Sequence, residues 1–307
     1  MTFAEPVVLG TRGSKLALVQ AESCAEKLRA LGLEIEVRAI KTTSEHHPNV
    51  PLSVIDQRDV FTRQLDEAVH SGEIDLAVHS LKDIPTEVPE GIRICAVTER
   101  HDPADALVSD ARHDVDDLKV GAIVATSSLR RRAQLLYRRP DLRIVEMRGN
   151  VGTRIRKMRE GQADAVVLAR AGLQRLDLDV AHTIIPLQTM VPAVGQGALG
   201  IAVLKDHRLR QVIREALNHE LTERATSAER AMLRTLEGGC RVPVGGHAVV
   251  KGSIVRLVGL VASTDGALVY KSEVEGEDSQ AVGEQLAQRL IEQGAGLILA
   301  EIKEVRA

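Results

Sequence analysis

Residues 120–147 read VGAIVATSSLRRRAQLLYRRPDLRIVEM, and this stretch decides the fold. Its first apolar run predicts a buried strand over Val120–Ala125, and either Ser127 or Ser128 can cap the helix that follows. Leu142–Met147 then has the composition of the next strand. A strand, a helix and a second strand of these lengths are typical of an α/β unit with parallel strands and a right-handed crossover.

The same alternation continues on both sides of this stretch. It predicts strands over Pro6–Gly10, Leu33–Ile40, Ile74–Val78 and Ala163–Ala169 and helices over Phe61–His70 and Val151–Glu160. Ser14 can cap one more helix, on which four apolar residues share a face: Leu16, Val19, Leu28 and Leu31. Two α/β units that are joined near Glu99–Pro103 are the simplest interpretation.

The pattern changes near Glu220. A long helix is predicted over Glu220–Leu236, where Gly238-Gly239 provides a stop. The remaining predicted elements are strands over Ile254–Ser263 and Ala267–Glu275, a hairpin turn at Thr264-Asp265-Gly266, and a helix over Ser279–Gln293 with Val282, Leu286, Leu290 and Ile291 inward. Together these elements predict a small α+β third domain.

Composition narrows the class of protein. The chain of 307 residues is 44% hydrophobic and 27% charged, which favours several packed domains over a disordered protein. Only two Phe and two Tyr are present, which disfavours a nucleic-acid surface built on stacked aromatic rings. The three widely spaced cysteines exclude a disulfide framework. We see neither a basic-then-apolar start nor an apolar run of the ~18 residues that a membrane span needs, so we expect a cytoplasmic protein.

Arginine is unevenly distributed along the chain. Residues 130–175 carry a net charge of +9, whereas the net charge of the whole chain is only −3. Solvated helix faces are the ordinary explanation of such charges, and we accept it for Arg138, Arg139 and Arg159. The other arginines call for an anionic ligand, because a guanidinium binds carboxylates and phosphates through two parallel hydrogen bonds.

The other arginines differ from solvated ones in their place between predicted strands and helices. Residues 126–131 (TSSLRR) and 148–154 (RGNVGTR) both follow a predicted strand at the start of a helix, and Arg12 and Ser14 occupy the same place in the first unit. Ligands of open α/β sheets bind at this edge, where helix N-termini favour anions. We therefore expect two such edges to face each other across a cleft that binds a ligand with several carboxylates or phosphates.

Two other motifs do not support a function. Residues 195–200 (GQGALG) match the dinucleotide-binding pattern, but Pro192 precedes them and a predicted strand follows where a helix should begin. A glycine-rich crossing between domains is the better interpretation. His46 and His47 are adjacent and could not both face one ion, so no metal site is expected.

Asp83 and Cys240 are candidates for chemistry. Asp83 follows a buried strand; it could either pair with a neighbouring cation or stabilise a developing cation during a reaction, and the residues alone leave both roles open. Cys240 lies in a Gly-rich loop, a better place for covalent chemistry than the expected core positions of Cys24 and Cys95.

Six motifs, in family order and spread over most of the chain, closely resemble the porphobilinogen deaminase family. They are residues 11–17 (TRGSKLA), 77–85 (AVHSLKDIP), 126–131 (TSSLRR), 148–154 (RGNVGTR), 192–197 (PAVGQG) and 237–240 (EGGC). The resemblance implies two α/β domains like the lobes of periplasmic binding proteins and a small α+β C-terminal domain. The boundaries that we expect are 1–99 with 199–217, 103–192, and 220–307.

The resemblance also implies a function and the residues that carry it. Members of the family join four porphobilinogen molecules into hydroxymethylbilane on a dipyrromethane cofactor, which is thioether-linked here to Cys240. Asp83 is the implied catalytic carboxylate. The implied ligands of the cofactor are Lys82, Thr126, Ser128, Arg130 and Arg131, and those of the substrate chain are Arg12, Ser14, Arg148, Arg154 and Arg175. The family further implies a monomer.

One stretch departs from the family pattern, and one rival class of protein remains. The lid segment keeps Phe61 and a cation at Arg58, but residues 56–64 lack the usual glycines and place Asp59 near an anionic ligand.

The rival is a two-lobed binding module for a polyanionic small molecule, which would share the fold without needing Cys240.

Overall fold

The computed structural model describes residues 6–41, 62–236 and 242–304. Its strands are β1 (Val7–Arg12), β2 (Ile35–Ile40), β3 (Leu76–Ser80), β4 (Ile92–Val97), β5 (Asp105–Val108), β6 (Ile123–Ala125), β7 (Arg143–Val145), β8 (Ala165–Ala169), β9 (His182–Ile185), β10 (Leu199–Leu204), β11 (Val244–Lys251), β12 (Ile254–Ala262) and β13 (Val269–Gly276). Its α-helices are α1 (Lys15–Arg29), α2 (Arg63–Ser71), α3 (Leu129–Arg138), α4 (Val151–Lys157), α5 (Arg170–Arg175), α6 (Arg210–Leu217), α7 (Glu220–Thr235), α8 (Ser279–Leu290) and α9 (Gly296–Glu304).

The chain divides into two compact units. Met1–His101 with Ala198–Glu223 form the first, and Asp102–Gly197 with Arg224–Ala307 form the second. The sheet of the first unit has the strand order β2-β1-β3-β10-β4. Strands β1, β2 and β3 are parallel as expected, but β10 is antiparallel to β3 and β4. An all-parallel sheet was therefore the wrong prediction, because the chain returns beside the carboxyl end of β3, where Leu199 pairs with Ser80, and runs back along it.

Helix α1 packs against this sheet through small side chains. Ser14 caps the helix as predicted and accepts a hydrogen bond from the amide of Ala17 at 3.3 Å. Its buried face consists of Ala17, Gln20, Ala21, Cys24, Ala25 and Leu28. Leu31 was wrongly predicted to lie on the helix and share its apolar face, since the helix ends at Arg29 and the side chain of Leu31 is 58% exposed.

The α/β part of the second unit has the strand order β7-β6-β8-β5-β9. Strands β6, β7 and β8 are parallel, and β5 is antiparallel to both β8 and β9. Ser128 caps α3 and Asn150 caps α4, each by accepting a hydrogen bond from an amide three residues later. The carboxyl ends of β6, β7 and β8 thus lead into helices at one edge of this sheet.

The rest of the second unit is the predicted α+β domain. Strands β11, β12 and β13 form an antiparallel sheet, and the turn between β12 and β13 contains Gly266 at a φ of +76°. Helices α7 and α8 contribute to its core through Met232, Val282, Leu286 and Leu290. Two α/β sheets and a small α+β domain confirm the predicted fold class. No helix in the described ranges is both long and apolar enough to span a membrane.

Candidate functional site

Four predicted site residues lie at one edge of the sheet in the first unit. Strands β1 and β3 are parallel neighbours, so their carboxyl ends share an edge. Arg12 is the last residue of β1, and Ser14 begins the helix after it. Lys82 and Asp83 lie in the single 3₁₀ turn that follows β3. The topology therefore brings an arginine, a lysine, a hydroxyl and a carboxylate to the same edge.

The carboxylate of Asp83 is half-buried and available. It makes no hydrogen bond or ion pair with any residue in the described parts of the chain. Its turn is fixed by backbone hydrogen bonds, from the amide of Ile84 to the carbonyl of Leu81 at 3.2 Å and from the amide of Leu81 to the carbonyl of Ala198 at 3.0 Å. A carboxylate held on a rigid turn without a cationic partner can stabilise positive charge on a ligand.

His79 lies four residues before Asp83, within β3. Its side chain is buried, and this burial, together with the guanidinium of Arg12, lowers its pKa to about 4. His79 is therefore neutral at neutral pH and adds no charge to this edge.

In the second unit, hydroxyl groups mark the beginning of α3. Thr126 is buried directly after β6, and its Oγ1 accepts a hydrogen bond from the amide of Ser128 at 3.1 Å. Ser127 Oγ donates to the carbonyl of Met147 at 2.9 Å and so ties this loop to the one after β7. The loops that carry Thr126, Ser128 and Arg148 are thereby fixed at the same edge of the sheet.

Arg130 and Arg131 are buried in an ion-pair network around Asp105. Asp105 Oδ1 accepts hydrogen bonds from Arg131 Nε at 3.1 Å and from Arg131 Nη2 at 2.7 Å, and Arg130 Nη2 lies 2.9 Å from Asp105 Oδ2. Burial alone would raise the pKa of Asp105, but the two guanidiniums overcome this effect and hold its pKa well below the usual range. The carboxylate thus stays ionised and offsets one of the two buried cations.

Arg154 lies in a crowded cationic environment. Its Nε donates to the carbonyl of Gly149 at 2.8 Å, and burial followed by the charges of Arg131 and Arg148 lowers its pKa to about 10. We refer to Arg130, Arg131, Arg148 and Arg154 as the arginine cluster. A site in which burial and neighbouring cations lower the pKa of an arginine favours an anionic ligand, because a nearby negative charge stabilises the protonated guanidinium.

The other predicted residues fall into three groups. Arg175, on α5, donates from Nη2 to the carbonyl of Gly197 at 2.6 Å, so it contacts the glycine-rich segment before β10. Arg138 and Arg159 are surface arginines that pair with Asp116 and Asp110, as expected. The solvated role expected of Arg139 was wrong, because its side chain is only 16% exposed, pairs with Asp141 and donates to three backbone carbonyls. The residues that lie outside the described ranges are His46, His47, Arg58, Phe61 and Cys240.

Asp105 and Gln196, beside Arg131, and Arg230, on α7, were not predicted as site residues. Asp105 and Gln196 contact Arg131 or each other over large separations in sequence, up to 91 residues, so no local pattern reveals them. Arg230, on α7, has its pKa lowered to about 10 by burial and by the charge of Arg234. Its signal was present in the sequence, since Arg230 and Arg234 are one helical turn apart on the helix that precedes Cys240.

Comparisons with known proteins agree with this geometry. The family model described as porphobilinogen deaminase, dipyromethane cofactor binding domain, matches residues 7–211, and the model of the porphobilinogen deaminase C-terminal domain matches residues 224–292. A porphobilinogen deaminase of Rubrobacter xylanophilus is 62% identical over 304 residues, which are 99% of this chain and 100% of that protein.

Other similar proteins include a more distant relative and a solved structure. A porphobilinogen deaminase of Geobacillus kaustophilus is 46% identical over 303 residues, or 97% of this chain and 98% of its own length. The second substrate binding domain of a putative amino acid ABC transporter from Streptococcus pneumoniae covers 69% of this chain and 91% of its own, with a TM-score of 0.45 and 14% identity. On the two family models and the full-length relatives, this chain belongs to the porphobilinogen deaminase family.

Proposed function

We propose that this chain joins four porphobilinogen molecules head to tail, releases ammonia at each step and yields the linear tetrapyrrole hydroxymethylbilane. The observation that carries this proposal is the arginine cluster, in which burial, followed by the charges of Arg131 and Arg148, lowers the pKa of Arg154 to about 10. Each pyrrole ring of substrate and product carries two carboxylates. A growing chain of such rings supplies carboxylates that these guanidiniums can bind.

The residues also fit a dipyrromethane cofactor. Its rings carry the same carboxylates as the substrate, and the hydroxyls and guanidiniums beside the start of α3 are donors of the kind that bind them. We propose that Lys82, Thr126, Ser128, Arg130 and Arg131 hold these carboxylates and that Cys240 carries the cofactor through a thioether bond. When bound, the cofactor supplies the nucleophilic pyrrole carbon to which the first substrate is joined.

The remaining roles follow from charge. We propose Asp83 as the catalytic residue, since its carboxylate has no partner among the described residues and can stabilise the positive charge that develops on the substrate as ammonia leaves. The substrate carboxylates are assigned to Arg12, Ser14, Arg148, Arg154 and Arg175. Each charged hydrogen bond contributes about 1.5–3 kcal/mol, so several together can retain an intermediate chain between steps. Arg58 and Phe61 are proposed to belong to a lid.

The proposal also covers the domain boundaries, the oligomeric state, the site of action and the reaction partners. The domain boundaries are 1–99 with 199–217, 103–192 and 220–307, which the pairing of β10 with β3 and β4 supports for the first domain. The protein is proposed to act as a monomer, and its site of action to be the cytoplasm. Its only partners in the reaction are porphobilinogen and the growing polypyrrole chain.

Intact mass of the purified chain tests the proposed function. We expect the mass of the polypeptide plus that of two linked pyrrole units, and Cys240→Ser should remove this addition. Cys95→Ala is the matched control, because Cys95 is buried and its burial raises its pKa to about 11, so this variant should keep the addition. An unmodified mass in protein that consumes porphobilinogen would overturn the role of the cofactor.

Ammonia release by Asp83 variants forms the second arm of the same experiment. Asp83→Ala should lower kcat by about 100-fold or more, because a fixed anion at the reacting centre is lost. Asp83→Glu should bind porphobilinogen but turn over slowly. Normal turnover by Asp83→Ala would remove Asp83 from the mechanism. A chain that neither carries the added mass nor releases ammonia would favour the binding module.

A further inference from the structure

Asp105 holds two arginines of the cluster in fixed orientations. It is the first residue of β5, and its carboxylate is completely buried. One oxygen accepts two hydrogen bonds from Arg131, and the other lies 2.9 Å from Arg130. The side chains of Arg130 and Arg131 are themselves only 5% and 7% exposed. Asp105 therefore contacts both arginines from a buried position.

Backbone carbonyls complete the support of both guanidiniums. Arg131 Nη1 donates to the carbonyl of Val167 at 2.9 Å, and Arg130 Nη1 donates to the carbonyl of Val191 at 2.7 Å. Each guanidinium is thus held at two or more of its nitrogens, and Arg130 Nε is buried without a hydrogen-bond partner in the described structure. A planar group that is fixed in this way can present its remaining N–H groups in only one direction.

Gln196 extends the same network to a second part of the chain. Its Nε2 lies 2.9 Å from Asp105 Oδ1 and 2.7 Å from the carbonyl of Pro103, and it donates to both. Asp105 and Gln196 lie near the two ends of the segment Asp102–Gly197, where the chain enters and leaves the second unit. Asp105 is therefore held by a neutral donor as well as by two cations.

We propose that Asp105 is a positioning residue for the cofactor: through buried contacts with Arg130 and Arg131, it fixes the direction in which these guanidiniums meet the cofactor carboxylates. The inference rests on the proposed function, because it assumes that the two arginines bind the cofactor. Asp105 itself does not touch the ligand in this assignment. One carboxylate against two guanidiniums leaves one positive charge, which the ligand offsets.

The test must separate positioning from stability, because removing one partner of a buried ion pair destabilises a protein in any case. We would place Asp105→Asn in the intact chain and in the Cys240→Ser chain, which cannot carry the cofactor. The measured quantity is the rise in Tm between the unloaded and the loaded chain, with loading verified by intact mass. The matched control is Asp141→Asn, which removes the carboxylate that pairs with Arg139 elsewhere in the same domain.

We expect Asp105→Asn to lower the Tm of the cofactor-loaded chain more than it lowers the Tm of the unloaded chain. Asp105→Asn should lower Tm in both backgrounds and also reduce the rise on loading to about half or less, with cofactor assembly slowed about tenfold. Asp105→Glu should restore part of the rise because it restores the charge. Asp141→Asn should leave the rise unchanged. A folded Asp105→Asn chain that fails to load at all would support the same conclusion.

An equal loss of Tm in both backgrounds, with a normal rise on loading, would overturn the inference and leave Asp105 as a purely structural residue. If Asp105→Asn does not fold, Gln196→Met removes the neutral partner of the same oxygen and keeps the charge. It should reduce the rise on loading in the same direction, and an unchanged rise would again overturn the inference. If the wild-type chain carries no added mass, the proposed function fails instead, so the two failures are distinguishable.

Discussion

His79 links a single buried side chain to the pH dependence of stability. Its pKa is lowered from an ordinary value of 6.5 to about 4, chiefly by burial. Because the folded chain resists protonation, the unfolded chain takes up this proton first as the pH falls. Stability should therefore fall between about pH 6.5 and pH 4 and then stop changing on account of His79, with a total loss of about 3 kcal/mol. Urea unfolding at a series of pH values measures this loss.

The matched variants for this prediction are His79→Gln and His182→Gln. The first removes the buried imidazole and should flatten the curve over this range relative to the wild type, even if the variant is less stable throughout. The second changes a half-buried histidine in the second unit and should keep the wild-type slope. Equal slopes in the wild type and His79→Gln would show that other groups cause the acid sensitivity.

Single residues differ in how far the sequence predicts their roles. Ser14 was identified as a cap, and Ser128 as one of two candidates with Ser127, because a cap bonds to an amide only three residues away. The role of Asp105 could not be predicted, since its partner Arg131 lies 26 residues further along the chain and meets it only after β5 and α3 have packed. Arg130 and Arg131 were expected to bind an anion, but their burial around a carboxylate depends on the same tertiary contact.

At the scale of elements, helices α7 and α8 approach each other closely at Gly283. A Cβ atom at this position would lie 2.4 Å from the carbonyl oxygen of Ala228 and 2.6 Å from the Cβ of Ala231. Backbone atoms cannot move aside without separating the helices. Gly283→Ala should therefore lower the free energy of unfolding by about 1–3 kcal/mol in spite of alanine's higher helix propensity. Urea or thermal unfolding measures the change.

Gly296→Ala is the control for this prediction. Gly296 begins α9 in the same domain, has ordinary helical dihedral angles, and leaves an added Cβ no closer than 3.5 Å to its neighbours. This variant should be neutral or more stable by up to about 1 kcal/mol. If Gly283→Ala changed the free energy of unfolding no more than Gly296→Ala does, the inferred close approach of α7 and α8 would be wrong.

The elements that were predicted correctly are those with many residues in one pattern. Helix α8 was identified from its apolar face, and Val282, Leu286 and Leu290 are buried as expected. Strands β5, β9 and β11 were missed: β5 and β9 have only four residues each, and β11 contains two glycines and a histidine, so no strand period is visible. The three-residue strands β6 and β7 were found because the predicted runs 120–125 and 142–147 around them are longer. The direction of β10 was also missed. A strand pattern is the same in both directions, and only the returning chain determines how that strand pairs.

For the whole molecule, the uneven charge of the sequence remains informative after the fold is known. The +9 segment at residues 130–175 contains the arginine cluster, and the remainder of the chain carries −12. Surface arginines in this segment are neutralised by nearby carboxylates, as Arg138 is by Asp116. The pKa of Arg154, by contrast, is lowered by burial and neighbouring cations. The sequence predicted the excess charge, whereas the division between exposed, paired arginines and the buried arginine cluster needed the tertiary structure.

This division predicts how salt affects the reaction. Raising NaCl from about 0.05 M to 0.5 M shortens the screening length to several ångströms, so kcat/KM for porphobilinogen should fall about three- to tenfold, mainly through KM. Arg154→Gln should raise KM and make the dependence on salt shallower. Arg138→Gln, which changes the net charge equally, should keep the wild-type dependence, because Arg138 is exposed and already paired. Steady-state kinetics over a salt series measures all three proteins. Equal salt dependence in the two variants would mean that net charge, rather than the arginine cluster, attracts the substrate.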